Sequence, residues 1–91
     1  MLTSEELATQ VMDQIWLSVD VACQRSDATP ELLLADDLGL KSMDAVAIVI
    51  DMERKFGIEV ETAELTRIRS IGDVIELVAG KLHQPSGRRR P

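Results

Sequence analysis

Apolar residues recur at helical spacing in three blocks of this chain, and each block is bracketed by residues that start or stop a helix. Leu7, Val11, Ile15 and Val19 share one face with Ala8, Met12 and Trp16, and Thr3 with Glu6 three positions on makes a capping box ahead of them. This pattern predicts a first helix from about Ser4 to about Asp20. The second block starts at Ser42 and runs to about Phe56, where Gly57 supplies a C-terminal stop. In the third, Ile71, Val74, Ile75, Val78 and Leu82 form one stripe, capped by Ser70 with Asp73 and ended by Pro85. The stretch after Asp20 has no clean period. Thr29-Pro30-Glu31 reads there as the cap and first-turn proline of a short turn, pinned to the core by Leu32, Leu33 and Leu34. Ile58-Glu59-Val60-Glu61 alternates as a strand does, but a lone short strand has nothing to pair with. It is expected to be an extended linker that buries Ile58 or Val60. Thr62 is placed to cap a short helix through Leu65 to Ile68. The expected fold is all-α, a four-helix bundle with a short third helix and a long first loop, and no internal repeat is present.

The second block carries more apolar surface than a small bundle hides. Ala45, Ile48, Val49, Met52 and Phe56 fit one face, while Met43, Val46, Ala47 and Ile50 fall on the neighbouring one. Part of this surface is therefore expected to stay exposed. An apolar strip rimmed by carboxylates is a protein contact more often than an accident.

Charge sharpens this expectation. The net charge is −6 and the pI about 4.6, which sets long-range repulsion against nucleic acid and favours basic protein surfaces as partners. Asp36, Asp37, Asp44, Asp51, Glu53, Glu59, Glu61 and Glu64 face only Lys41, Arg54 and Lys55 in the same stretch, so the acidic field is centred on Ser42. With 91 residues the chain has room for one core. Residues 1–84 are expected to form that domain, and residues 85–91, with Arg88, Arg89 and Arg90, a disordered basic tail. The single Cys23 excludes an intramolecular disulfide, and with no secretory n-region or apolar h-region at the start, a reduced cytoplasmic setting is expected. The apolar run Ala45 to Ile50 is far below the ~20 residues of a membrane span.

Leu38-Gly39-Leu40-Lys41-Ser42-Met43-Asp44 makes Ser42 the residue to explain, since a glycine turn delivers one hydroxyl to the start of a long helix. A catalytic serine needs a base in reach, and the only histidine is His83, at the end of the last helix. The paired glycines and Lys-Ser/Thr ending of a phosphate-binding loop are missing. Asp36, Asp37 and Asp44 flank a helix start, where carboxylates are usually solvated rather than metal-bound. Two readings remain open on the residues alone. Ser42 is modified by another enzyme, its substituent resting near the positive end of the helix dipole, or it is only a helix cap in an interaction module of the same fold.

From Ala35 to Leu82 the chain resembles the acyl carrier proteins. Their attachment motif reads Asp-Leu-Gly-x-Asp-Ser-Leu-Asp, against Asp37-Leu38-Gly39-Leu40-Lys41-Ser42-Met43-Asp44 here, and Glu53-Arg54-Lys55-Phe56-Gly57-Ile58-Glu59-Val60 is similar to the family's acidic segment ending Glu-Phe-x-x-x-Ile. The resemblance implies a carrier-type helical bundle, not itself a catalyst, in which Ser42 bears a 4′-phosphopantetheine arm derived from coenzyme A. The arm's thiol would hold an acyl or aminoacyl group as a thioester. It implies as partners a phosphopantetheinyl transferase, a loading ligase or transferase and downstream synthase or condensing enzymes, met by a monomeric carrier through Lys41, Met43, Asp44, Val46, Ala47, Ile50, Glu53 and Arg54. Ala45, Val49, Met52, Val60, Ile68, Ile71, Val74 and Leu77 become candidates for the core or for a chain cavity.

Three departures bear on pathway. Lys41 replaces the family's usual acid before the serine, Met43 replaces leucine, and Ala47 stands where many fatty-acid carriers have glutamate. Lys41 and Ala47 remove two acids from the surface that fatty-acid synthase partners read, which points to a dedicated pathway such as polyketide, lipid-modification or aminoacyl-transfer biosynthesis.

Overall fold

The computed structural model describes residues 2–83. The proposed tail at 85–91 therefore lies outside the described residues.

Helix α1 spans Ser4–Ser18 and opens on the expected box, in which Glu6 N donates to Thr3 Oγ1 at 3.1 Å and Thr3 N to Glu6 Oε1 at 2.9 Å. It ends two residues before Asp20, because Val19 is already extended while Ser18 turns its hydroxyl to Asp51 Oδ2, 2.6 Å away on the second helix. Helix α2, Ser42–Phe56, has the expected bounds. Gly57 ends it at φ +67°, and the Ile58 N–H reaches back to the Glu53 carbonyl at 3.2 Å, which drops Ile58 into the core.

Helix α3 is shorter than expected, Thr62–Leu65, and its cap is Glu61 rather than Thr62. Glu64 supplies the compact turn by accepting from Glu61 N at 2.9 Å, and the chain leaves the helix through a turn before Ile68. Helix α4, Ile71–His83, opens on the expected Ser70–Asp73 box, with each backbone N–H 3.1 Å from the other side chain. The segment 58–60 is extended and unpaired, as expected, and buries Ile58.

Helix α1 packs on α2 and α4, and α2 also meets α3 and α4. The core is Leu7, Val11 and Ile15 of α1, Ile48 and Met52 of α2, and Ile71, Val74 and Val78 of α4. Residues 19–41 close over it through a 3₁₀ turn at Arg25–Asp27, and they contribute Leu34, Leu38 and Leu40. Leu33, expected to be an anchor, is 39% exposed. It lies in an isolated antiparallel bridge to Ser70, flanked by Leu34 N to Arg69 O at 2.9 Å and Ile71 N to Leu32 O at 3.0 Å. Pleating there sends Leu34 inward and Leu33 outward.

Candidate functional site

The loop ahead of α2 is closed by a carboxylate. Asp37 Oδ2 accepts the Leu33 N–H at 2.7 Å, while the N–H groups of Asp37 and Leu38 return to the Leu33 carbonyl at 3.0 and 3.1 Å. Leu38 enters the core with no exposure. Gly39 reverses the chain at φ +71°, a left-handed conformation costing a side-chain-bearing residue about 1–2 kcal/mol. Leu40 then returns to the core, its N–H bonded to the Leu34 carbonyl at 2.9 Å. Two buried leucines on either side of a left-handed glycine thus hold the start of α2 in place.

Ser42 emerges at this start, and it is not the cap. The cap position belongs to Lys41, whose extended backbone donates its N–H to Asp44 Oδ2 at 2.9 Å and whose carbonyl accepts from the N–H groups of Asp44 and Ala45. A lysine side chain has no acceptor, so only the Asp44 half of a capping box exists. The reading of Ser42 as merely a cap is therefore corrected. It is the first helical residue, exposed, and among the described residues no hydrogen bond engages its hydroxyl or the N–H groups of Ser42 and Met43. These first-turn donors leave a free hydroxyl next to unpaired N–H groups at the positive end of a fifteen-residue helix.

Beside the hydroxyl lies a cleft of about 660 Å³ between the loop, α2 and α3. Its inner wall is Leu34, Leu40, Ala45, Leu65 and Ile68, and Ser42 stands among its lining residues. Of the residues expected either in the core or in a chain cavity, Ala45 and Ile68 line the cleft. Val49, Met52, Ile71 and Val74 are buried outside it, and Val60 and Leu77 are half-buried. The leucines of the irregular loop make the wall instead, and no periodicity marks them for that place.

The residues expected to meet partners fall into two groups. Met43 is 82% exposed, Val46 42% and Ile50 41%, so the apolar strip of α2 exists as expected, with Val46 also on the cleft's lip. Lys41 and Arg54 are exposed and Ala47 is half-buried. The helix carboxylates are half-buried and engaged within the chain. Asp44 holds the Lys41 N–H, Asp51 the Ser18 hydroxyl, and Glu53 the Val60 N–H at 2.9 Å. Asp36 stands exposed beside the cleft.

The short α3 is pinned to α4 by Glu64 and Lys81, 2.9 Å apart and both about a quarter exposed. Burial of the Glu64 carboxyl opposes its ionisation, but the Glu61 N–H, the Lys81 ammonium and the Arg67 charge outweigh it and hold the group below its ordinary 4.5. His83, the one candidate base, is held at the end of α4, its Nδ1 2.7 Å from the Ala79 carbonyl. Among the described residues no three His, Cys, Asp or Glu side chains gather as a metal site, and no helix is long and apolar enough to cross a membrane.

A family model described as a phosphopantetheine attachment site matches residues 20–78. An acyl carrier protein of Thermotoga maritima is 37% identical over 82 residues, which are 90% of this chain and 99% of that protein. One from Nitratidesulfovibrio vulgaris is 28% identical over 81 residues, 89% and 99% of the two chains. The fold matches the crystal structure of a Thermotoga maritima acyl carrier protein with a TM-score of 0.73 at 23% identity, over 89% of this chain and 92% of that one. It matches hexanoyl acyl carrier protein from the actinorhodin polyketide synthase of Streptomyces coelicolor with a TM-score of 0.74 at 17% identity, over 93% and 95%.

Proposed function

The chain belongs to the acyl carrier proteins, whose covalent group is 4′-phosphopantetheine, and from that premise we propose that Ser42 is the attachment residue of a carrier that presents a thioester-bound acyl or aminoacyl group to partner enzymes. The observation that carries this reading is the hydroxyl itself, exposed, free of any hydrogen bond among the described residues, and set at the lip of an apolar cleft. When attached, the arm supplies a thiol for the thioester. The residues present fit it. The unpaired N–H groups of Ser42 and Met43 and the dipole of α2 favour a phosphodiester at that oxygen, and Lys41 adds a cation one residue away. No group near Ser42 is built to remove its proton, so the base for the modification belongs to the transferase.

The partner set of a dedicated pathway is read from the same helix. Acidic charge is missing at Lys41 and Ala47, while Met43, Val46 and Ile50 leave hydrophobic surface beside the attachment residue. Carboxylates bonded within the chain, Asp44, Asp51 and Glu53, are constrained in how they meet a basic partner. Apolar anchoring then carries more of the affinity than charge does.

Incubation with coenzyme A and a broad-specificity phosphopantetheinyl transferase is expected to add one phosphopantetheine to wild type and none to Ser42→Ala, read by intact-mass spectrometry. Since Ser42 makes no cap bond, Ser42→Ala should keep stability within about 0.5 kcal/mol. An unmodified wild type would leave the fold without this function.

A further inference from the structure

Helix α2 presents a face whose charge is opposite in sign to that of the chain, −6. Between Ser42 and Phe56 the exposed charged residues are Arg54 and Lys55, and Lys41 is exposed at the cap. Every acid of the helix, Asp44, Asp51 and Glu53, is half-buried. Each turns a carboxylate oxygen to a donor of its own chain, the Lys41 N–H, the Ser18 hydroxyl and the Val60 N–H. Met43, Val46, Ile50 and Arg54 are all exposed and follow one another at three- and four-residue spacing, so they form a single stripe. It starts beside Lys41 and ends on a guanidinium, apolar in the middle and basic at both ends. Lys55 is drawn aside, its ammonium 5.9 Å from the centre of the Phe56 ring. Arg69 stands exposed on the rim of the cleft that Lys41 and Val46 also line, where Asp36 is the exposed acid.

Arg54 lies in the last turn of α2, where a cation offsets the helix dipole, so the fold accounts for its sign. Lys41 is the reverse case. It holds the cap position at the positive end of the dipole, where a cation is unfavourable, and its side chain has no acceptor with which to cap the first turn. The fold gains nothing from a lysine there, so the side chain is accounted for by what it meets outside the chain. A phosphodiester on Ser42 would meet one end of the stripe only, because Arg54 lies about 20 Å along the helix from Lys41 at 1.5 Å per residue.

An apolar stripe with basic ends suits an acidic surface. An anionic bilayer is one such surface, but it sets a continuous sheet of charge against a body of net charge −6. A protein can place its acids only opposite the two cations. The field of the whole chain is screened beyond about 8–10 Å at ordinary salt, so the charges in contact decide the fit. We infer that this stripe is the docking face for a protein partner whose apolar groove carries aspartate or glutamate at its two ends, opposite Lys41 and Arg54. The contact charge of that partner is thus the reverse of the basic surface that net charge favours. The inference deepens the reading of Ser42 as the attachment residue by naming the surface that receives the arm.

Two synthetic helical peptides with the same apolar face, one flanked at both ends by glutamates and the other by lysines, are titrated into the unmodified full-length chain. Nuclear magnetic resonance shifts of Met43, Val46 and Ile50 report binding at the stripe. The glutamate peptide is expected to shift these residues and to bind roughly twofold to thirtyfold more tightly than the lysine peptide at low salt, the range for two exposed ion pairs. Added salt shrinks that advantage. Lys41→Glu combined with Arg54→Glu is expected to reverse the preference, with circular dichroism confirming that the helices are retained. Equal or tighter binding of the lysine peptide at the stripe, shifts that fall elsewhere, or association of the chain with vesicles of phosphatidylserine and phosphatidylcholine overturns the proposal. Because the titration uses the unmodified chain, each of these results leaves the attachment reading intact, whereas a wild type that accepts no arm removes that reading and not the docking face.

Discussion

Removing the Asp37 carboxylate tests whether the loop that presents Ser42 is held by local hydrogen bonding or only by its buried leucines. In Asp37→Ala the Leu33 N–H loses its acceptor at 2.7 Å, while Leu34, Leu38 and Leu40 keep their burial. A charge-assisted bond of this kind contributes about 1.5–3 kcal/mol when desolvated. Asp37 and Leu33 are both exposed, so water replaces much of it, and the helix-cap scale of about 0.5–2 kcal/mol is the better guide. For a domain of this size about 1 kcal/mol lowers Tm by roughly 4–8 °C. Asp37→Asn keeps an acceptor oxygen and should recover most of that loss, which separates the hydrogen bond from the charge. Thermal unfolding followed by circular dichroism measures stability, and the initial rate of transferase modification measures presentation of Ser42. Both should fall in Asp37→Ala and largely return in Asp37→Asn. An Asp37→Ala protein that melts and is modified like wild type would refute the reasoning, and the buried leucines alone would then set the loop.

Two further outcomes follow from the charges around the site. Glu64 has a folded-state pKa below 4.5, so its ionised form stabilises the fold; that contribution is complete above its unfolded value and is lost as pH falls through the lower folded value. Glu64→Gln should therefore melt about 2–6 °C below wild type at neutral pH, from a partly exposed pair worth up to about 1 kcal/mol, and the gap should close below pH 4.5; a gap that persists in acid would mean that packing rather than the Lys81 pair is lost. Lys41→Asp should raise the association rate of the loaded carrier with a basic fatty-acid-type synthase enzyme by about tenfold at low salt, with the gain disappearing as salt screens it. Stopped-flow rates that do not change at low salt would remove helix-α2 charge from the account of partner choice.

The features readable from sequence were those written within a few residues. The Thr3–Glu6 and Ser70–Asp73 boxes, the Gly57 stop and the bounds of α2 depend on contacts between positions three to five apart, so residue types alone identify them. The surplus of apolar residues on α2 likewise foretold the exposed Met43, Val46 and Ile50, since one helix face holds only so much core. The motif around Ser42 located the candidate site. What Ser42 does locally was another matter. Lys41 takes the cap because its backbone is extended there, and that is fixed by Leu38 and Leu40 entering the core around Gly39. The loop shows no period, and its side chains point where the Leu33–Ser70 bridge and the Asp37 turn send them, so the inward Leu34, the outward Leu33 and the composition of the cleft wall were decided only when distant segments met. Arg69 reached the rim in the same way. Local hydrogen bonding and periodicity are properties of adjacent residues, whereas the direction of a side chain in an irregular segment follows from backbone partners far away along the chain.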